Sequence, residues 1–357
     1  MGADLENLVS PETRFFDLPD GVELEAGRRL APVRVAYRTW GVLNEAGDNA
    51  VVVCHALTGS ADADRWWAGM FGPGRALDPD RDFVVCANLL GSCYGTTGPT
   101  AIDPASGRRY GPDFPPVTVR DMVRLQFALL QHLGVRRVQL ALGGSLGGML
   151  ALEWPLLYPA LVRAVAPIAV SGRHSAWCIG LSEAQRQAIC ADPLWRDGRY
   201  APESPPAAGL AVARMIAMCT YRSRASFDQR FDRRPQDETG LFAVESYLRH
   251  QGRKLVDRFD ACTYMKLTEA MDAHDVARGR GGYEETLRGV RQPALVVSIP
   301  SDVLYPPEEQ EELARLLPHA ELRRLDSPHG HDSFLIDTDA LSEMVVEFRR
   351  RVELEKE

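Results

Sequence analysis

Short apolar runs alternate with helix-like segments through the first half of the chain. The runs are rich in branched apolar residues and are bounded by turn residues, as buried strands are. They cover residues 33–38, 50–54, 83–87, 138–142 and 164–170. Because strands that alternate with helices form parallel sheets covered by those helices, the pattern predicts an α/β fold with a mainly parallel sheet.

A crossover helix is predicted between the third and fourth runs. Thr118 and Asp121 have the spacing of a helix cap, and Gly134 supplies a stop. Between them, apolar residues recur at helical spacing, at Met122, Leu125, Leu129 and Leu133. Such a helix would return the chain to the start of the next parallel strand.

The pattern changes after Gly172 and then returns. Helix-like stretches cover residues 181–190, 210–220, 241–257 and 261–271, and a proline-rich loop covers residues 202–206. Strand-like runs resume at 294–299 and 321–325, with helices predicted at 307–317 and from Thr338 onward. A helical insertion explains this order. We predict a core domain, residues 1–171 and 283–357, and a helical lid domain, residues 172–282.

Composition and charge narrow the class of partner. The 357 residues are 45% hydrophobic and carry a net charge of −8, without a long basic block. This balance argues against nucleic acid and anionic membranes and favours small molecules. Residues 1–20 lack the features of a signal peptide, no run is long enough to span a membrane, and the seven cysteines lack C-x-x-C spacing. The chain is therefore expected to be cytoplasmic.

The pentapeptide Gly143-Gly144-Ser145-Leu146-Gly147 carries the strongest chemical signal. It lies between the strand-like run 138–142 and a helix-like run at residues 149–157, which is the context of a G-x-S-x-G nucleophile elbow. Such a turn strains the serine backbone and exposes Oγ above the sheet, so its neighbours must be small. Gly143, Gly147 and Gly148 are predicted to supply the space.

A serine nucleophile requires a base, and the base requires an orienting carboxylate. In α/β-hydrolase-like chains they follow in the order serine, aspartate, histidine. Asp302 follows the run 294–299, and His331 follows the run 321–325, each on a loop beyond a predicted strand end. Ser145, Asp302 and His331 are the predicted triad, with His329 as the second candidate base.

Two backbone N–H groups would stabilise the oxyanion of an acyl-transfer intermediate. One belongs to Leu146, directly after the nucleophile. The other is expected from the small loop His55-Ala56-Leu57-Thr58-Gly59, where Leu57 is the preferred donor. His55 is interpreted as a structural residue of this loop.

Several separated blocks resemble the homoserine O-acetyltransferases of methionine biosynthesis, acyltransferases with the α/β-hydrolase fold. The similarity spans residues 33–348, and its blocks are residues 55–59, 88–99, 118–122, 143–149 with Glu153-Trp154, 220–223 and 330–334. The resemblance implies a ping-pong reaction. Ser145 would accept the acetyl group of acetyl-CoA and pass it to the side-chain hydroxyl of L-homoserine.

The resemblance also assigns the acceptor site: Arg222 would bind the carboxylate of L-homoserine and Asp332 its ammonium group. It implies a homodimer formed through the lid, with acetyl-CoA as co-substrate and neither a metal nor a permanently bound cofactor. The block Gly91-Ser92-Cys93 departs from the family, which usually has glycine at the second position.

Three alternatives stay open. The same chemistry could use succinyl-CoA as the donor or L-serine as the acceptor, because such differences need only a few side chains. The same triad could also belong to an ester or thioester hydrolase. A non-catalytic member of the fold is disfavoured because the elbow and triad residues are all present.

Overall fold

The computed structural model describes residues 9–236 and 240–354. Its centre is an eight-stranded sheet in the order β1-β4-β6-β5-β7-β8-β11-β12. Only β4 runs against the other seven strands of this sheet. The strands are β1 (Arg14–Leu18), β4 (Val33–Trp40), β5 (Ala50–Cys54), β6 (Phe83–Ala87), β7 (Val138–Gly144), β8 (Val165–Ile168), β11 (Ala294–Ser298) and β12 (Ala320–Arg324). The predicted mainly parallel sheet is confirmed.

Two apolar cores lie on opposite faces of this sheet. In β5, Val52 belongs to one core, whereas Val51 and Val53 belong to the other, because side chains alternate along a strand. Helices cover both faces. They are α1 (Ala63–Trp66), α2 (Val119–His132), α3 (Leu146–Leu157), α9 (Tyr283–Arg288), α10 (Pro307–Leu316), α11 (Ser333–Ile336) and α12 (Thr338–Leu354).

The crossover helix α2 begins where its cap was predicted. Thr118 Oγ1 accepts from the backbone N–H of Asp121 at 3.2 Å, and the Asp121 carboxylate accepts from the backbone N–H of Thr118 at 3.0 Å. This reciprocal capping box satisfies two donors at the helix start. The predicted crossover helix is confirmed.

The segment between β8 and α9 is mainly helical, as predicted. It contains α4 (Ala176–Cys190), α5 (Ala207–Tyr221), α6 (Arg224–Arg230), α7 (Ala243–Val256) and α8 (Ala261–Asp272). Two short hairpins complete the described strands: β2 (Val22–Glu23) with β3 (Arg29–Leu30), and β9 (Pro235–Gln236) with β10 (Leu241–Phe242). The described part of the chain contains no helix with the length and apolarity that crossing a bilayer requires.

A buried ionic network ties the end of the helical segment to the core. Glu153 of α3 is fully buried and pairs with Arg120 of α2 at 3.2 Å and with Arg280 at 2.7 Å. Arg120 also donates to the backbone carbonyls of Asp275 and Val276. The division into core and lid domains remains a prediction, and parts of both, residues 1–8, 237–239 and 355–357, lie outside the described residues.

Candidate active site

Ser145 is the single residue that connects β7, which ends at Gly144, to α3, which begins at Leu146. Its φ of 58° and ψ of −127° are rare for a residue other than glycine and store about 1–3 kcal/mol of strain. The Ser145 N–H donates to the carbonyl of Ile168 in β8 at 3.0 Å, so the neighbouring strand holds the strained residue. The predicted strained strand-to-helix turn is confirmed.

Gly143, Gly147 and Gly148 provide the space that this turn requires. A Cβ on Gly147 would lie 2.1 Å from the carbonyl oxygen of Cys54, and one on Gly143 would lie 2.5 Å from the same atom. A Cβ on Gly148 would lie 2.8 Å from Cγ1 of Val170. Atoms in a packed interior do not approach so closely, so a larger residue would push the turn away from β5.

A buried carboxylate–imidazole pair joins the loops that follow β11 and β12. His331 Nδ1 lies 2.6 Å from Asp302 Oδ2, and both residues are buried. The other carboxylate oxygen of Asp302 accepts from the backbone N–H groups of Leu304 and Tyr305 at 2.8 and 3.0 Å. These three bonds hold the carboxylate in one orientation, with Oδ2 directed at the imidazole.

The second ring nitrogen of His331, Nε2, is buried and has no hydrogen-bond partner in the described part of the chain. Because Nδ1 donates to a carboxylate, the neutral ring carries its lone pair at Nε2, as a general base must. No hydrogen bond joins Ser145 Oγ to Nε2 here, and such bonds often tighten only when substrate binds. His329, the second candidate, instead places Nδ1 3.4 Å from Ser226 Oγ.

Three aromatic rings surround the His331 imidazole. The ring centroids of Tyr305, Phe334 and Tyr221 lie 5.3, 5.5 and 5.8 Å from its centroid. A Cβ on Gly144 would lie 2.5 Å from the Phe334 ring, so a glycine there lets this ring reach the elbow. Sequence reasoning missed these residues, because an isolated tyrosine or phenylalanine has the pattern of an ordinary core residue. Together they limit rotation of the imidazole and exclude water from it.

The loop after β5 forms a tight turn beside the elbow. The Gly59 N–H donates to the Ala56 carbonyl at 2.9 Å, which closes a turn over Leu57 and its neighbour. The backbone N–H groups of Leu57 and Leu146 donate to no other group within residues 9–236 and 240–354. Both predicted oxyanion donors are therefore available to a ligand.

His55 uses both ring nitrogens inside this loop. Its Nδ1 lies 2.8 Å from the Ala56 carbonyl, and its Nε2 accepts from the Leu89 backbone N–H at 3.2 Å. Burial lowers the pKa of His55 to about 4, so the ring is neutral at physiological pH. These contacts bear out the structural interpretation of His55.

Arg222 and Asp332, the predicted acceptor-binding residues, lie together near the imidazole. Arg222 Nε is 3.6 Å from Asp332 Oδ2, and both side chains are largely buried. Arg222 Nη1 is buried without a hydrogen-bond partner in the described residues. Burial raises the pKa of Asp332, and the positive charges of Arg214 and Arg222 oppose that rise. The pair thus places a guanidinium with an unused donor beside a carboxyl group.

Arg258 is a second residue that sequence reasoning missed. It lies between α7 and α8, and its Nη1 donates to the Thr58 carbonyl at 2.7 Å and to the Tyr94 hydroxyl at 2.6 Å. Thr58 belongs to the turn that carries Leu57. The chain separates Arg258 from Thr58 by 200 residues, and no motif marks the contact.

Ser92, the departure from the resembled family, is 1% exposed, and its Oγ has no hydrogen-bond partner among the described residues. A Cβ on the neighbouring Gly91 would lie 3.4–3.6 Å from Val117, Leu267 and Phe114, so this block is packed inside apolar core.

We expect Ser92→Ala to raise the free energy of unfolding by about 1 kcal/mol, because the substitution removes a buried hydroxyl without a partner. Acyl transfer should be unchanged. Chemical denaturation and steady-state kinetics measure the two effects, with Ser204→Ala on an exposed loop as the control. A changed preference between acyl donors would instead show that this hydroxyl faces substrate.

Comparison with known proteins agrees with this geometry. A family model described as the α/β hydrolase fold matches residues 49–338. A homoserine O-acetyltransferase of Trichormus variabilis is 60% identical over 349 residues, which cover 98% of this chain and 97% of the relative.

Two solved structures superpose on nearly the whole chain. The homoserine O-acetyltransferase of Bacillus anthracis has 27% identity and a TM-score of 0.88, covering 94% of this chain and 97% of its own. Esterase E22 has 26% identity and a TM-score of 0.87, covering 95% and 99%. By its sequence identity over almost its full length, this chain is an enzyme that belongs to the homoserine O-acetyltransferases of the α/β-hydrolase fold.

Proposed function

We propose that this enzyme transfers an acetyl group from acetyl-CoA to the side-chain hydroxyl of L-homoserine through an acetyl-Ser145 intermediate. The observation that carries the proposal is the buried hydrogen bond between Asp302 and His331, which leaves His331 Nε2 without a partner in the described residues. Both residues follow strands that end at the same edge of the sheet as the strand before Ser145. The names of the relatives supply the substrate class.

In the first half-reaction, His331 Nε2 takes the proton of Ser145 Oγ as that oxygen attacks the thioester carbonyl. The negative charge that develops on the carbonyl oxygen is stabilised by the N–H groups of Leu57 and Leu146. The intermediate then breaks its carbon–sulfur bond. CoA leaves as a thiol with the proton from His331, and the acetyl group stays on Ser145.

In the second half-reaction, the hydroxyl of L-homoserine gives its proton to His331 Nε2 and attacks the acetyl-serine. The same two N–H groups bind the second oxyanion. Collapse breaks the bond to Ser145 Oγ, which recovers its proton from His331, and O-acetylhomoserine leaves. Side chains and backbone of this chain supply every step, so the proposal includes no metal and no permanently bound cofactor.

Arg222 and Asp332 fit the two charges of the acceptor. A zwitterionic amino acid brings a carboxylate and an ammonium group, and each needs an opposite charge where water is scarce. Arg222 has a buried, unused Nη1 for the carboxylate, and Asp332 is adjacent for the ammonium group. Because the two side chains pair with each other, neither is an isolated buried charge.

The helical segment explains why the acyl group would go to homoserine and not to water. At the end of α5, Arg222 and Ser223 contact the loop that carries the imidazole: a Cβ on Gly330 would lie 2.6 Å from Ser223 N. Closing a site in this way excludes water from the acyl-enzyme.

We also propose that the enzyme is a cytoplasmic homodimer that pairs through this segment. Large apolar side chains are exposed on its surface, including Trp177 of α4 and Val212 of α5.

Hydrolysis is the second candidate, because esterase E22 shares nearly the same backbone. A matrix of acetyl-CoA and succinyl-CoA against L-homoserine and L-serine, followed by release of free CoA, separates the two. Transfer predicts that L-homoserine accelerates CoA release from acetyl-CoA. A rate that is insensitive to every amino acid would establish a hydrolase.

Arg222→Ala should lower kcat/KM for L-homoserine by about 10- to 100-fold, the size of one lost charge-assisted hydrogen bond. Formation of acetyl-Ser145 should change little, because the acyl donor does not use this guanidinium. Single-turnover CoA release and steady-state kinetics resolve the half-reactions. Arg224→Ala is the matched control, since its side chain is 94% exposed. Equal losses in both half-reactions would make Arg222 structural.

A further inference from the structure

The turn that offers the Leu57 N–H is held at both ends by different parts of the fold. At its start, His55 Nδ1 donates to the Ala56 carbonyl, which also accepts from Gly59 N–H and so closes the turn. At its other end, the Thr58 carbonyl accepts from Arg258 Nη1 at 2.7 Å. His55 follows β5 of the core, whereas Arg258 belongs to the helical segment.

The Arg258 guanidinium donates hydrogen bonds only to neutral groups in the described part of the chain. Nη1 also donates to the Tyr94 hydroxyl at 2.6 Å, and Nη2 lies 3.4 Å from Thr58 Oγ1. Burial raises the pKa of Tyr94 to about 12, so this hydroxyl stays protonated at physiological pH. Across residues 9–236 and 240–354, no carboxylate lies within ion-pairing distance of Arg258. Its described hydrogen bonds go to the turn, at Thr58, and to the Tyr94 hydroxyl.

A cation on the Thr58 carbonyl has a direct effect on the turn. It polarises the peptide group between Thr58 and Gly59, and the N–H of that group is the one that donates to Ala56. Hydrogen bonds in such a chain strengthen one another. The contact thus fixes the loop on which the Leu57 N–H is presented, and oxyanion stabilisation depends on such preorganisation.

We propose that Arg258 is a positioning residue for the oxyanion hole, through which the helical segment holds the Leu57 donor in place. This inference rests on the proposed acyl-serine chemistry and on Leu57 as a donor. Displacement of the segment would release the Thr58 carbonyl and weaken the oxyanion hole. Full oxyanion stabilisation is then available only while the site is covered.

The test uses acylation of Ser145 by p-nitrophenyl acetate, which both a transferase and a hydrolase perform. Loss of one oxyanion donor lowers rates by about 10²–10³-fold, so a misplaced donor in Arg258→Ala should lower acylation by about 10- to 100-fold. With acetyl-CoA and L-homoserine, kcat should fall similarly while KM for homoserine changes little. Arg253→Ala, exposed on α7, is the matched control and should retain both rates.

Addition of guanidine at low concentration should restore part of the activity of Arg258→Ala and none in Ser145→Ala. Arg258→Lys, which keeps the charge and one donor, should be intermediate, and it tests the proposal if the alanine variant fails to fold. Acylation within about twofold of the parent, or a lower melting temperature without a rate change, would overturn the proposal. Failure of L-homoserine to accelerate CoA release would instead refute the acceptor assignment and leave the acylation result standing.

Discussion

Replacing Ser145 with alanine should lower acyl transfer by at least about 10³-fold, because removal of the nucleophile from a triad leaves only binding and oxyanion stabilisation. The fold should be unaffected. Ser145 Oγ makes no hydrogen bond within the described residues, and the backbone contact to Ile168 does not involve the side chain. Single-turnover CoA release measures the chemistry, and calorimetry measures stability.

Replacing Ser145 with glycine distinguishes the loss of the nucleophile from the effect of backbone strain on stability. Ser145→Gly should be as inactive as Ser145→Ala, but it should be more stable than the alanine variant, because glycine adopts a φ of 58° without steric penalty. Stored strain is a known source of trade-off between stability and activity. More than about a thousandth of the parental activity in either variant would contradict a serine nucleophile.

The central strands could be predicted because every residue in them is buried. In β5, β6 and β11, both faces of the strand lie in the core, so β5 and β6 appear as uninterrupted apolar runs and β11 as an apolar run that ends at Ser298. β1 has no such signal. It lies at the edge of the sheet with two of its five residues only partly buried and the other three exposed, and only pairing with β4 makes it a strand. Local pattern does not contain that information.

The start of α3 was predicted too late for a related reason. Gly147 and Gly148 are poor helix formers, so the sequence placed the helix from Met149, whereas it begins at Leu146. The close approach to Cys54 requires glycine there, and tertiary packing overrides the propensity. Four short helices, α1, α6, α9 and α11, were missed because each has too few residues to show a helical period.

The residues of the candidate site also fall into two groups, those that local sequence predicts and those that depend on tertiary contacts. Ser145, Asp302 and His331 each follow a strand, so their order and position in the sequence were sufficient to select them. The contacts of Arg258 with Thr58 and of Tyr221 with His331 join segments that are far apart in the sequence. Their residue types carry no chemical motif. Such contacts follow from how the helical segment packs on the sheet, which a single sequence does not state.

Asp302→Asn should lower the rate of acylation by about 10⁴-fold, the size of effect seen when a triad histidine is held in the wrong tautomer. The surroundings of Asp302 decide which way the new amide points. One carboxylate oxygen accepts from the backbone N–H groups of Leu304 and Tyr305, so only the amide oxygen can take that place. The amide NH₂ must then face His331 Nδ1.

An NH₂ group at this position donates to Nδ1 and forces the imidazole proton onto Nε2, where the base needs a lone pair. Ser145 would keep its hydroxyl and its strained turn but lose its proton acceptor. Pre-steady-state acylation measures the loss, and Asp326→Asn, an exposed aspartate after β12, is the matched control and should retain activity. Because hydroxide can replace a missing base, the defect should shrink as pH rises. A pH-independent loss of less than about tenfold would show that Asp302 only supports the fold and does not select the tautomer of His331.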